Sequence, residues 1–192
     1  VARGEKLPVA YAVGSHPTDF IAAVSGTPPM DELDVIGAVR GSPVPIVKCV
    51  TNDIYVPADA EYILEGYLDP AGHVEPEGPY GEFLGYYGGV KTNPIFHVTA
   101  VTRRKDALFQ TLTIGGASMS RTDTAQLSAL RTEVMIWRAL EVAVREPVAV
   151  YATTSSGGAF NVRVAIRQRV PGEAHNAITA CMGALANCKN VF

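Results

Sequence analysis

The segment Glu77-Gly78-Pro79-Tyr80-Gly81-Glu82 constrains the possible folds of this chain more than any other. Its two carboxylates stand five residues apart. A helix would turn residues at that spacing about 140° out of phase, and a strand would send them to opposite faces. Gly78, Pro79 and Gly81 disfavour both elements, since Gly has no side chain to order and Pro lacks a donor. The segment therefore reads as a shaped loop able to turn both acids toward one site. Taken with no other context, it is an acidic turn ahead of a strand. Phe83, Leu84, Gly85, Tyr86 and Tyr87 follow it directly.

The chain on either side reads as mixed helix and strand. Residues 7–13 form a short apolar run, expected as a strand. Pro17 opens a helix over 18–24, and Gly26-Thr27-Pro28-Pro29 makes the next connection. Asp31 caps a second helix that reaches about Arg40 and stops at Gly41. Strands are then expected over 44–50, 61–68 and 95–103, the last two alternating as a sheet with one wetter face does. Residues 108–114 are expected to add another.

Gly115-Gly116-Ala117-Ser118 forms a small-residue connector. A long helix then starts at Thr122 or Asp123 and runs to about Arg145, striped by Leu127, Leu130, Val134, Trp137 and Leu140. After Pro147 come a strand over 148–153, a Ser155-Ser156-Gly157-Gly158 turn and a strand over 160–168. A helix over 172–186 follows, striped by Ala174, Ile178, Cys181 and Leu185. Lys189-Asn190-Val191-Phe192 begins one more strand, which makes the end resemble half of an α/β unit. The chain is expected to be a fragment of a longer polypeptide.

Composition excludes several classes. With 192 residues and a net charge of −3, the chain shows no basic footprint for nucleic acid. No run approaches the ~20 apolar residues of a membrane span. Cys49, Cys181 and Cys188 are too few for a disulfide framework. Cys181 and Cys188, if both lie on the last helix, sit ~10.5 Å apart along it, beyond the ~7 Å that a disulfide spans. All three are expected as reduced core thiols of a cytoplasmic protein. His16, His73, His97 and His175 show no zinc-ligand spacing, and there is no phosphate loop or nucleophile elbow.

The paired-acid segment with Gly85-Tyr86-Tyr87 resembles the signature of the UbiD family of reversible decarboxylases of aromatic and α,β-unsaturated acids. Residues 32–41 (ELDVIGAVRG), 47–66 (VKCVTNDIYVPADAEYILEG) and 99–108 agree with it in order and nearly in spacing. The resemblance implies an α+β protein. Residues 1–116 would be a split β-barrel domain binding prenylated FMN, and 117–192 a linking helix and the start of a C-terminal α/β domain. It further implies a homo-oligomer at full length, acting on a small carboxylic acid.

The family works through a Glu–Arg–Glu network, whose two acids fall on Glu77 and Glu82. Glu82 is implied as the acid/base, and Glu77 as the member that holds the network. Phe83, directly after the proton donor, is implied to touch substrate; by its type alone it is a packing residue. Glu32 falls on a metal-binding glutamate beside the flavin phosphate, with Mn2+ or Mg2+ and K+ as the implied metals. By itself it is a first-turn acid favoured by the helix dipole. Lys189 falls on a lysine contacting that phosphate; by itself it is a charged residue at a helix-to-strand junction. The arginine, and the remaining metal ligands, come in relatives from sequence ahead of Val1. The chain alone is therefore expected to be inactive. A flavin reductase-like enzyme and a non-catalytic subunit of a decarboxylase assembly are the alternatives.

Overall fold

The computed structural model describes residues 4–25, 30–111, 113–185 and 187–192. The connection expected at 26–29 lies outside them, as does Ala186, the expected end of the last helix. The chain divides into two compact units. The first is Val1–Tyr80 with Gly88–Thr111, and the second is Gly81–Tyr87 with Leu112–Phe192.

In the first unit, β4 (Tyr62–Leu68) is the centre of an antiparallel sheet. It pairs in unbroken register with β1 (Leu7–Val13) on one side and, with one slip, with β7 (Phe96–Arg103) on the other. β1 falls on the expected apolar run, and β4 and β7 fall within a residue of where near-alternation places them. The β4–β7 register slips between Glu65 and Gly66, a bulge that leaves Thr99 unpaired in the ladder. The Thr99 hydroxyl donates to the Glu65 carbonyl at 3.2 Å instead. Gly66 is obligatory for close approach, because a Cβ there would collide with the His97 carbonyl oxygen. Gly66→Ala is expected to lower the stability of this unit by roughly 2 kcal/mol, read as a fall in the denaturant midpoint.

Two helices precede that sheet, α1 (Pro17–Ser25) and α2 (Glu32–Arg40). Asp31 caps α2 by accepting from Leu33 N at 2.8 Å, and Gly41 ends it at φ 70°. The Arg40 guanidinium ties the pair of helices down. It donates to the buried Asp19 carboxylate and, at 2.8 Å, to Asp59. The strand expected over 44–50 is shorter than the apolar run: β2 covers only Ile46–Lys48 and pairs with β3 (Tyr55–Pro57). Cys49 lies beyond it, buried, where its N–H closes a turn to the Ile54 carbonyl at 2.9 Å.

The strand expected over 108–114 is absent among the described residues. Side chains satisfy that stretch instead of a ladder: Leu108 N donates to Glu61 Oε2 at 2.9 Å, and Ser15 N donates to Gln110 Oε1 at 3.1 Å. Two three-residue strands, β5 (Glu75–Glu77) and β6 (Lys91–Asn93), form an antiparallel pair. Among the described residues the strands of this unit form three separate sheets.

In the second unit, α3 (Asp123–Ala143) packs with α4 (Glu173–Ala184) and a sheet ordered β10-β9-β8. β8 (Pro147–Ala152) is antiparallel to β9 (Asn161–Ile166), and β10 (Asn190–Val191) is parallel to β9 through the α4 crossover. That is the expected α/β half-unit. The expected stripes hold at Leu140, Cys181 and Leu185, which are buried, and differ elsewhere. On α3 the buried residues are Ala125, Ala129, Thr132, Ile136 and Leu140, whereas Leu130 and Val134 are exposed. Small residues are needed there because Gly158 presses on the helix, and a Cβ on it would collide with the Ala125 carbonyl oxygen.

On α4 the buried residues are Glu173, Ala177 and Cys181, while Ala174 and Ile178 face water. The Glu173 carboxylate accepts backbone N–H groups from Arg169, from Val170 at 3.1 Å and from Arg145 at 3.2 Å. Those bonds, Arg169's foremost, hold its pKa below the ordinary carboxylate value. Cys188 follows α4 rather than lying on it, and all three cysteines are buried free thiols.

Candidate functional site

Glu77 ends β5, opposite Lys91 in the β5–β6 register. The Asn93 side-chain amide donates to Glu77 Oε2, fixing an otherwise exposed carboxylate. Glu77 and Asn93 line a cleft of about 450 Å3 with Tyr11, Leu68, Glu75, Pro76, Pro94 and Phe96. Tyr11 and Phe96 meet edge to face, with ring centroids 4.8 Å apart. This cleft pairs one oriented carboxylate with aromatic walls.

The loop after Glu77 is shaped as its residues require. Gly78 sits at φ 101°, a conformation costly for any residue with a Cβ, and the Gly78–Pro79 peptide is cis. Gly88 N donates to the Tyr80 carbonyl at 2.9 Å. Between those residues runs a tight hairpin, bridged at Gly81 and Tyr87. Within it, Glu82 N donates to the Tyr86 carbonyl at 2.8 Å, and Gly85 N to the Glu82 carbonyl at 2.9 Å. Glu82 is half-buried. Glu77 therefore belongs to the first unit and Glu82 to the second.

Phe83 is half-buried and stacks on Phe160, with centroids 5.8 Å apart and planes 16° from parallel. Glu32 stands exposed in the first turn of α2, behind the Asp31 cap. Among the described residues no three His, Cys, Asp or Glu side chains gather as a metal cluster. The Glu32 carboxylate is an oxygen donor of the kind hard cations take. Lys189 lies exposed just ahead of β10, its N–H donating to the Phe160 carbonyl at 2.8 Å. An ammonium there has the chemistry to meet a phosphate.

Three partners escaped sequence reasoning. Asn93, which holds Glu77, and Phe160, which stacks on Phe83, lie apart along the chain from those residues, and three-residue strands such as β5 and β6 carry no period to read. The third is Asp69, whose Oδ2 lies 2.9 Å from His97 Nε2. The Asp69 pKa is lowered, first by the Ala71 N–H and then by His97. No helix among the described residues is long and apolar enough to cross a membrane.

The two acids of the motif thus stand in different settings, Glu77 oriented by Asn93 at the edge of an aromatic-walled cleft and Glu82 on the hairpin that follows. The chain belongs to the UbiD family: the model of the 3-octaprenyl-4-hydroxybenzoate carboxy-lyase Rift-related domain matches residues 1–117. Solved structures agree. The UbiD-class enzyme HmfF from Pelotomaculum thermopropionicum, in an evolved dimeric form with prFMN, is 31% identical over 99% of this chain, with a TM-score of 0.89. The same enzyme with FMN gives 32% over 99% and 0.90. The apo 3,4-dihydroxybenzoic acid decarboxylase AroY of Klebsiella pneumoniae gives 31% over 99% and 0.84. This chain spans 43%, 42% and 41% of those three chains respectively.

Proposed function

We propose that this chain carries the acid–base machinery of a prenylated-FMN-dependent decarboxylase. The reaction is the reversible, non-oxidative decarboxylation of an aromatic, heteroaromatic or α,β-unsaturated acid: the carboxylate and one proton give CO2 and the protonated carbon. Residues 1–116 form the split β-barrel cofactor domain, and 117–192 the linking helix and the start of the C-terminal α/β domain. The observation that carries the reading is the pair of held acids, Glu77 tied by Asn93 beside the cleft and Glu82 on its bonded hairpin.

Prenylated FMN, when bound, supplies the sink for the electron pair released as the C–C bond breaks. Glu82, in its acid form, gives its proton to the carbon that loses CO2 and takes it back in carboxylation. Glu77 holds the network, and Phe83 borders the substrate. Lys189 would meet the flavin phosphate, and Glu32 would give an oxygen to Mn2+ or Mg2+, with K+ as the companion cation. Three buried free thiols accord with a reducing compartment, which we take to be the cytoplasm. The full-length protein acts as a homo-oligomer.

Mass spectrometry of the cofactor released from the full-length protein tests the reading. Prenylated FMN is the expected result. Unmodified FMN in a protein that releases no CO2 even when supplied with prenylated FMN would make it reductase-like, and failure to bind either flavin would make it a non-catalytic subunit. These 192 residues alone are expected to show neither flavin absorbance nor CO2 release, because relatives use chains more than twice as long. Either signal from the isolated chain would contradict that.

A further inference from the structure

Resting on the reading of Glu82 as the acid/base, we infer that Phe160 is a positioning residue that seats the Glu82 hairpin and the Lys189 backbone together. Phe160 stands immediately before β9, in the second unit. Its ring takes the flat face of Phe83, the neighbour of Glu82, at 5.8 Å. Its carbonyl accepts the N–H of Lys189 at 2.8 Å and that of Asn190 at 3.0 Å. One residue therefore holds, by ring and by backbone, the proposed proton donor on one side and the proposed phosphate ligand on the other.

Two glycines complete the seat. A Cβ on Gly157, at φ 71°, would stand 2.9 Å from the Phe83 ring. A Cβ on Gly115 would collide with the Phe83 carbonyl oxygen. Phe83 can reach Phe160 only because both positions lack a side chain. The hairpin is short, cross-linked by the Gly88 N bond to the Tyr80 carbonyl, the Gly81–Tyr87 bridge and the turn bonds of Glu82 and Gly85. So short a hairpin is marginal unless something packs on it. The Phe83–Phe160 stack supplies that packing.

Phe160→Ala in the full-length protein, read by hydrogen exchange and by kinetics, tests the assignment. Residues 81–87 should exchange roughly tenfold faster, as expected when one stacked ring pair is lost. The α3 and β9 core should not change. With cofactor loaded, kcat should fall by roughly 10–100-fold, the scale set by a small misplacement of a reacting group, with KM for the acid nearly constant. Phe160→Tyr, which keeps the stack, should restore both readouts. If Phe160→Ala does not fold, Phe160→Leu, with its similar bulk and no flat face, should show the same local exchange in weaker form. Unchanged exchange at 81–87, or acceleration spread equally through α3 and β9, would overturn the seat. Local acceleration in a protein that releases no CO2 from any acid would uphold the seat and refute the decarboxylase reading, so the two failures are distinguishable.

Discussion

Glu82→Gln in the full-length protein is expected to lower decarboxylation by about 10²–10⁴-fold, the usual contribution of a placed general acid. Gln has nearly the same shape. The hairpin's backbone bonds from Glu82 N to the Tyr86 carbonyl and from Gly85 N to the Glu82 carbonyl do not involve the side chain, so the fold should survive. What disappears is the only proton the side chain can offer. Substrate affinity should change little, since an interaction used mainly in the transition state appears in kcat. A matching fall in kcat and kcat/KM is the expected signature. A selective rise in KM would mean that Glu82 binds substrate instead of serving the proton.

The second large effect concerns folding. Glu65 is 1% exposed in the middle of β4, yet nothing in the proposed chemistry uses it. Its carboxylate accepts Val50 N at 3.0 Å, Thr51 N at 2.7 Å and the Thr51 hydroxyl at 2.8 Å. Burial is the largest single influence on its pKa and pushes it upward. The bonds from Val50, Thr51 and Cys49 together outweigh burial and leave the pKa below the ordinary value.

Glu65→Ala strands those donors around a vacated site. It should destabilise the first unit by roughly 3–4 kcal/mol, since the lost acceptor is a buried charge. The sign of the pH effect follows from the depressed value. The carboxylate's contribution is fully present above the unfolded-state pKa and is lost as pH falls through the folded one. Glu65→Gln should therefore flatten the acid side of the stability profile. Amide exchange along β4, followed from neutral to acid pH in both proteins, measures this. An equally steep acid limb in the variant would assign it to another group.

The sequence was most legible where punctuation and period agree. Asp31 and Gly41 bracket α2, and near-alternation marks β4 and β7. It failed where size mattered more than polarity. The apolar stripe on α3 pointed to Leu130, Val134 and Trp137, which border an open cleft of about 570 Å3 with Ala149 and Val150. The buried face uses Ala125 and Ala129 because the Gly157-Gly158 turn comes so close to the helix. Nor did the sequence single out Glu173, a charge that is buried because backbone N–H groups surround it.

For the candidate site, the acids themselves were visible as a motif, and their supports were not. The bond from Asn93 to Glu77 depends on a strand pair too short to show a period. The stack of Phe160 on Phe83 depends on a contact between residues far apart in the chain. Long-range contacts of this kind leave no local trace in a single sequence.

The proton's route is the claim on which the account turns, and isotope exchange observes it without relying on overall rate. The full-length holoprotein, incubated in D2O with the decarboxylated product and followed by NMR, should exchange the hydrogen at the carbon that formerly bore the carboxylate. The Glu82→Gln protein, loaded with the same cofactor, should leave that hydrogen in place. Deuterium entering at an undiminished rate in the variant would show that another group handles the proton, and Glu82 would lose its role.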